Sequence, residues 1–136
     1  MQNFTPFMAT LSLGAMLFFS FVTAPLIFGK LPTQQAGTLI RSVFPWYYGV
    51  LGVITAASVI IGYLLGSPGI PATTVVLIGF ALALFVLMPA INRARDRALG
   101  DDAVAGSRFR HLHHASVVLN AGQLCLLAYV SSLLLS

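Results

Sequence analysis

Charge is what this chain has least of. Only 7% of its 136 residues are charged, and just three of them are acidic. A soluble domain carries about 25% charged residues, and a globule this small has too much surface to solvate with so few. That scarcity excludes a soluble enzyme, a disordered tail and a nucleic-acid-binding module. Cysteine is nearly absent too. The single Cys125 permits neither an intrachain disulfide nor a cysteine zinc cluster. No acidic residue falls inside an apolar run, which argues against a carboxylate proton relay, and no P-loop, G-x-S-x-G or H-E-x-x-H motif occurs. No Lys or Arg precedes Lys30. The first apolar run therefore lacks the basic start of a signal peptide, is too long for one, and reads as a membrane span.

What remains is apolar: 58% hydrophobic residues and a mean hydropathy of +0.94. A membrane crossing needs about 20 such residues. The chain has room for four, which makes it an all-α, integral membrane four-helix bundle forming a single domain over residues 1–136. The first span is expected over 7–28, starting at Thr5-Pro6, where the hydroxyl can cap and proline suits the first turn, with Pro25 kinking or ending it. Leu31-Pro32-Thr33 reads as a break and a new cap. Over 34–44, Leu39, Ile40, Val43 and Phe44 oppose Gln34, Gln35, Thr38 and Arg41, as in a short helix lying in the interface. Pro45 then opens the second span, 46–65, with Trp46, Tyr47 and Tyr48 as an aromatic belt. The uncharged turn Gly66-Ser67-Pro68-Gly69-Ile70-Pro71 makes a hairpin with the third span, 71–91. A polar loop, 92–107, leads to the fourth span, 109–134, and within it Asp96 is expected to pair with Arg93. No internal repeat is strong enough to carry an argument.

Four spans place the loops after the first and third on one side. All seven basic residues belong to that side: Lys30, Arg41, Arg93, Arg95, Arg97, Arg108 and Arg110. The excess of Lys and Arg assigns those loops to the cytoplasm and both termini to the outside of a bacterial-type inner membrane.

The fourth span carries the unusual residues. At about 100° per residue, His113, Ser116, Asn120 and Gln123 fall within roughly an 80° stripe. Polar side chains in a bilayer face the bundle interior, and a histidine there is a functional candidate. The competing reading of the stripe is interhelical hydrogen bonding that fixes packing. His111 and His114 point elsewhere, as solvated interface residues. Arg108 and Arg110 oppose the dipole of the helix they open. Topology and attraction to anionic lipid account for that placement, and an anionic ligand such as a porphyrin carboxylate is the alternative. Met8, Met16, Met88 and Cys125 are spread over different depths without M-x-x-M or C-x-x-C spacing, a pattern that favours packing over a copper path.

Several blocks together resemble the transmembrane protein 205-like family, domain of unknown function 4149. They are Gly14-Ala15 through Phe21, Pro25, Phe28, Leu31-Pro32, Ala36-Gly37, Phe44-Pro45 with Tyr47-Tyr48, Pro89, Asn92 and Arg95-Asp96. The last is Phe109, His113, Ser116 and Asn120. The group is distantly similar to copper-resistance D-type proteins and to the bacterial membrane protoporphyrinogen oxidase. That likeness implies a helical bundle in which a histidine serves haem or copper, and His113 is the position that carries over.

Three functions follow as expectations. The first is a b-type haem or porphyrin-binding protein, with redox activity within reach. His113 would be an axial ligand flanked by Ser116 and Asn120. Met88 or a second His113 in a homodimer would supply the other ligand, and Arg93, Arg95, Arg108 or Arg110 would meet the propionates. The second is a copper or small-solute transporter using His113 with Met88, Met16 and Cys125. The third is a structural or regulatory membrane subunit whose polar stripe contacts a partner helix. No catalytic group is identified.

Overall fold

The computed structural model describes every residue from Met1 to Ser136. It contains four long helices: α1 (Phe4–Lys30), α2 (Thr33–Leu65), α3 (Ile70–Ala98) and α4 (Ala103–Ser132), each apolar enough to cross a membrane. They form an up-and-down ring. α1 packs on α2 and α4, α3 packs on the same two, and α1 lies across the diagonal from α3.

Every helix runs past its apolar run. The segment 34–44 is helical, but it is the beginning of α2 and not a separate interfacial helix, since Pro45 sits inside a continuous helix of 33 residues. Such a helix is about 50 Å long, well beyond the roughly 30 Å of hydrocarbon, so its first turns still project to interface level. Proline is tolerated within membrane helices because neighbouring groups satisfy the backbone it frees. Likewise, the expected polar loop at 92–107 is mostly helix: α3 continues to Ala98, and α4 starts at Ala103. Asp102 caps α4, its carboxylate accepting from Val104 N–H at 3.1 Å and Ala105 N–H at 3.2 Å. Thr5 caps nothing. It is buried where α1 meets the hairpin, its N–H donating to Ser67 Oγ at 3.0 Å, while Ser67 Oγ–H donates to Gln2 O at 2.6 Å. The hairpin is as expected, with Gly66 (φ 61°) ending α2 and Gly69 (φ 86°) preceding α3. Both φ values favour glycine.

α1 and α3 each contain one π-helical turn, Phe19–Thr23 and Ala83–Leu87. Ala24 N–H donates to Phe19 O and Met88 N–H to Ala83 O, five residues back in each case. A proline follows two residues on, Pro25 or Pro89, and its missing N–H denies an α-type donor to the carbonyl four residues before it. In both helices the span continues past the proline, as α2 does past Pro45 without a π turn. The two turns share the pattern F-V-x-x-P-x-I, at 21–27 and 85–91. It is an internal correspondence between the two diagonal helices.

The two ends of the bundle differ. Toward the chain termini, Ala9, Met16, Leu51, Val76, Phe80, Leu127 and Val130 form a closed core. Small polar residues join it by bonding their own helices, as Thr55 Oγ1–H does to Leu51 O at 2.7 Å. Phe7, Phe18, Phe21, Val53, Leu64 and Phe85 point outward, as side chains facing lipid do. Gln123, only 3% exposed, donates through Nε2 to Val76 O at 3.1 Å and ties α4 to α3. Gly79 makes that contact possible, because a Cβ there would stand 2.7 Å from Gln123 Nε2 and 3.1 Å from its Cδ.

Gln123→Leu should therefore cost about 1 kcal/mol, in keeping with interhelical hydrogen bonds in membranes. Gly79→Ala should cost more, and Gly79→Ala/Gln123→Ala should regain part of that loss. Unfolding midpoints in detergent micelles check all three. Equal midpoints for the single and double variants would contradict the packing described.

Candidate functional site

On the charged-loop side the four helices separate around a cavity of about 670 Å³. Both π turns border it, through Phe19 and Ser20 of α1 and Ala83 and Leu87 of α3. Its wall on α2 is aromatic. Phe19 stacks on Tyr47 at 4.4 Å between ring centroids, Phe44 stacks on Tyr48 at 5.5 Å, and Tyr47 meets Tyr48 edge-on at 5.1 Å. Of the expected aromatic belt only Trp46, 77% exposed, faces outward. The two tyrosines turn in, and the Tyr47 hydroxyl is buried without a hydrogen-bond partner.

The stripe on α4 borders the same cavity with His113, Ser116 and Asn120. Asn120 Nδ2 donates to Ser20 Oγ at 3.4 Å, a long bond that joins α4 to the π turn of α1. Ser116 Oγ–H donates to His113 O at 2.7 Å. Gln123, at the inner end of the stripe, belongs to the closed core. The three histidines are not equivalent. His111 Nδ1 is engaged with Ser107 O and His114 Nδ1 with Arg110 O, each at 2.8 Å. The ring of His113 has no hydrogen-bond partner and lies parallel to Phe109, at 6.2 Å and 13°.

α3 contributes Met88, Asn92 and Arg95. The Arg95 guanidinium lies over Gly37 of α2, in the space a Cβ would fill, and it has no carboxylate partner. The expected Arg93–Asp96 pair does not form. Asp96 instead accepts two bonds from Arg41 of α2, at 2.8 and 3.1 Å, because α3 stays helical and turns Asp96 toward its neighbour. With side chains 44% and 53% exposed, the pair is screened by solvent and adds little to stability. It does neutralise Arg41. Arg95 is left as the unpaired cation of a cavity that no carboxylate lines.

The expected site residues thus divide. His113, Ser116, Asn120, Met88 and Arg95 come together, whereas Arg93 and Arg108 line a different, smaller cavity, and Arg110 is exposed outside both. Of the other sulfur residues, Met16 is fully buried in the closed core and Cys125 is exposed. No group of three or more His, Cys, Asp or Glu side chains is placed to hold a metal ion. Sequence reasoning missed Tyr47 as an inward donor and Gly37 as the seat of Arg95, because nothing in the local pattern shows which helices face each other.

Gly37→Ala should displace only the end of a flexible arginine, leaving the unfolding midpoint within about 1 kcal/mol of wild type. Arg95 should then react severalfold faster with phenylglyoxal, measured by peptide mass spectrometry. Unchanged reactivity would mean that Gly37 does not seat the guanidinium.

Residues 7–99 match the domain of unknown function 4149 (DUF4149), a stretch that ends before α4 and its histidines. An uncharacterized protein of Aquifex aeolicus (strain VF5) is 32% identical over 80 residues, which are 59% of this chain and 61% of that protein. The alignment thus spans less than two thirds of the relative's length. No solved structure matches. With more than half of its residues inside the matched region, the chain belongs to the DUF4149 family.

Proposed function

We propose that this protein binds a planar, amphipathic and anionic tetrapyrrole, haem b or its metal-free porphyrin, in the cavity on the charged-loop side. The observation that carries this reading is the composition of that one space. It holds an aromatic wall, an imidazole with both ring nitrogens uncommitted, a thioether, a guanidinium without a carboxylate and a buried hydroxyl without a partner. Aromatic faces suit a macrocycle. Arg95 suits a carboxylate. Tyr47 offers a hydroxyl that no group of the protein accepts. The resemblance of the sequence to copper-resistance D-type and protoporphyrinogen oxidase membrane proteins would imply haem or copper held by a histidine, and the transmembrane protein 205-like resemblance implies no ligand. The surrounding membrane is then a bacterial-type inner membrane, with the charged loops cytoplasmic and both termini outside.

The residues fit haem b as a donor set. His113, with Met88 or the His113 of a second copy, would hold the iron, since histidine and methionine both ligate haem iron. Bound there, haem would supply one-electron redox chemistry. The chain's own part is to bind and orient it, with Arg95 and Asn92 at its polar edge and the aromatic residues of α2 excluding water.

The test is titration of haem and of metal-free protoporphyrin into the full-length protein in detergent. Wild type should take up both, and His113→Ala should lose the six-coordinate haem spectrum yet keep protoporphyrin. Arg95→Gln should weaken both about tenfold, as loss of a charged hydrogen bond of about 1.5 kcal/mol implies. Met88→Leu changes the haem spectrum if Met88 is the second ligand and leaves it intact if a second copy supplies it. Uptake of neither compound by wild type would overturn the proposal in favour of a structural or regulatory subunit.

A further inference from the structure

A second cavity, of about 300 Å³, lies between the ends of α3 and α4 on the opposite face of α3 from the first. Its floor is small, formed by Ala90, Ala94 and Ala105, the last two buried. Its rim holds three guanidinium groups, from Arg93, Arg97 and Arg108, against a single carboxylate, Asp102. None of the three arginines is paired within the protein. The local partner of Arg93 is engaged elsewhere, because Asp96 is bound by Arg41 across the α2–α3 interface at 2.8 Å. Asp102 is directed to the backbone N–H groups that open α4, so the helix start is already capped and the arginine side chains remain for a ligand. Three exposed arginines without a partner around a space of this size can receive an anion.

The setting narrows the anion's source. The cavity stands where α3 and α4 leave the apolar part of the bundle. Val104, which lines it, is 79% exposed. An apolar side chain beside the arginines suits a phosphate ester attached to an acyl chain better than a free ion. We propose that this cavity seats the phosphodiester headgroup of an anionic phospholipid, in the leaflet on the charged-loop side, through Arg93, Arg97 and Arg108. The site shares no lining residue with the larger cavity, so the two assignments stand or fall separately.

The test uses native mass spectrometry of the full-length protein released from mixed micelles of phosphatidylglycerol and phosphatidylcholine. Wild type should retain phosphatidylglycerol in preference by roughly tenfold or more, as several basic contacts at a membrane surface imply. Arg93→Gln/Arg97→Gln should bring the preference near parity. The charge-matched control Lys30→Gln/Arg110→Gln, outside the cavity, should keep it. Should the first double variant fail to fold, the single variant Arg97→Gln carries the comparison, with a partial loss expected. An equal loss in the control would overturn the proposal, since diffuse attraction would then suffice. Inorganic phosphate stabilising wild type but not Arg93→Gln/Arg97→Gln, with no preference between the lipids, would also overturn it by making the ligand a soluble ion.

Discussion

Pro25 and Pro89 set the shape on which the rest of this bundle depends. Each removes a backbone donor inside a membrane helix, where a carbonyl left unpaired costs several kcal/mol. In both helices a π turn ends two residues before the proline. Such turns accommodate an extra residue and re-aim the side chains around them. α1 and α3 lie on the diagonal of the ring, so the disturbance enters from two opposite sides. The larger cavity lies beside both turns, and Phe19 and Ser20 reach it from one while Ala83 and Leu87 reach it from the other.

The opposite end follows the contrary rule. Alanine, serine, threonine and glycine dominate its helix contacts, and Met16, Phe80 and Leu127 fill what is left. Lipid tails are as apolar as leucine, so close approach and a few interhelical hydrogen bonds must hold such helices together. Gln123 on Val76 and the Thr5 hydroxyl on Ser58 O are bonds of that kind. A tightly closed half thus supports an open one. The polar residues of α4 divide accordingly, with Gln123 fastening the bundle, Asn120 at the boundary, and His113 at the rim with its ring unengaged.

Much of this was legible from residue order. Long apolar runs can only be spans, and a Gly-Ser-Pro-Gly turn can only be short. The stripe from His113 to Gln123 follows from helical period alone. What misled were the punctuating residues. Pro45 reads as a boundary, yet in α2 it is carried through, and Asn92 to Ser107 reads as loop because charge there masks helix continuing past the apolar run. Asp96 has Arg93 three residues away, but its partner is Arg41 on another helix. The inward turn of Tyr47 and the seating of Arg95 on Gly37 depend on which helix faces which, and a single sequence does not contain that.

The central claim is that the cavity between the π turns holds a tetrapyrrole. The most direct measurement is an absorption spectrum of the protein purified gently from its native membrane, before and after dithionite, with iron and copper determined on the same sample. The account predicts a Soret band that sharpens on reduction, with iron in proportion to protein. A spectrum without such a band, from a metal-free sample that stays featureless after haem is added back, would contradict it.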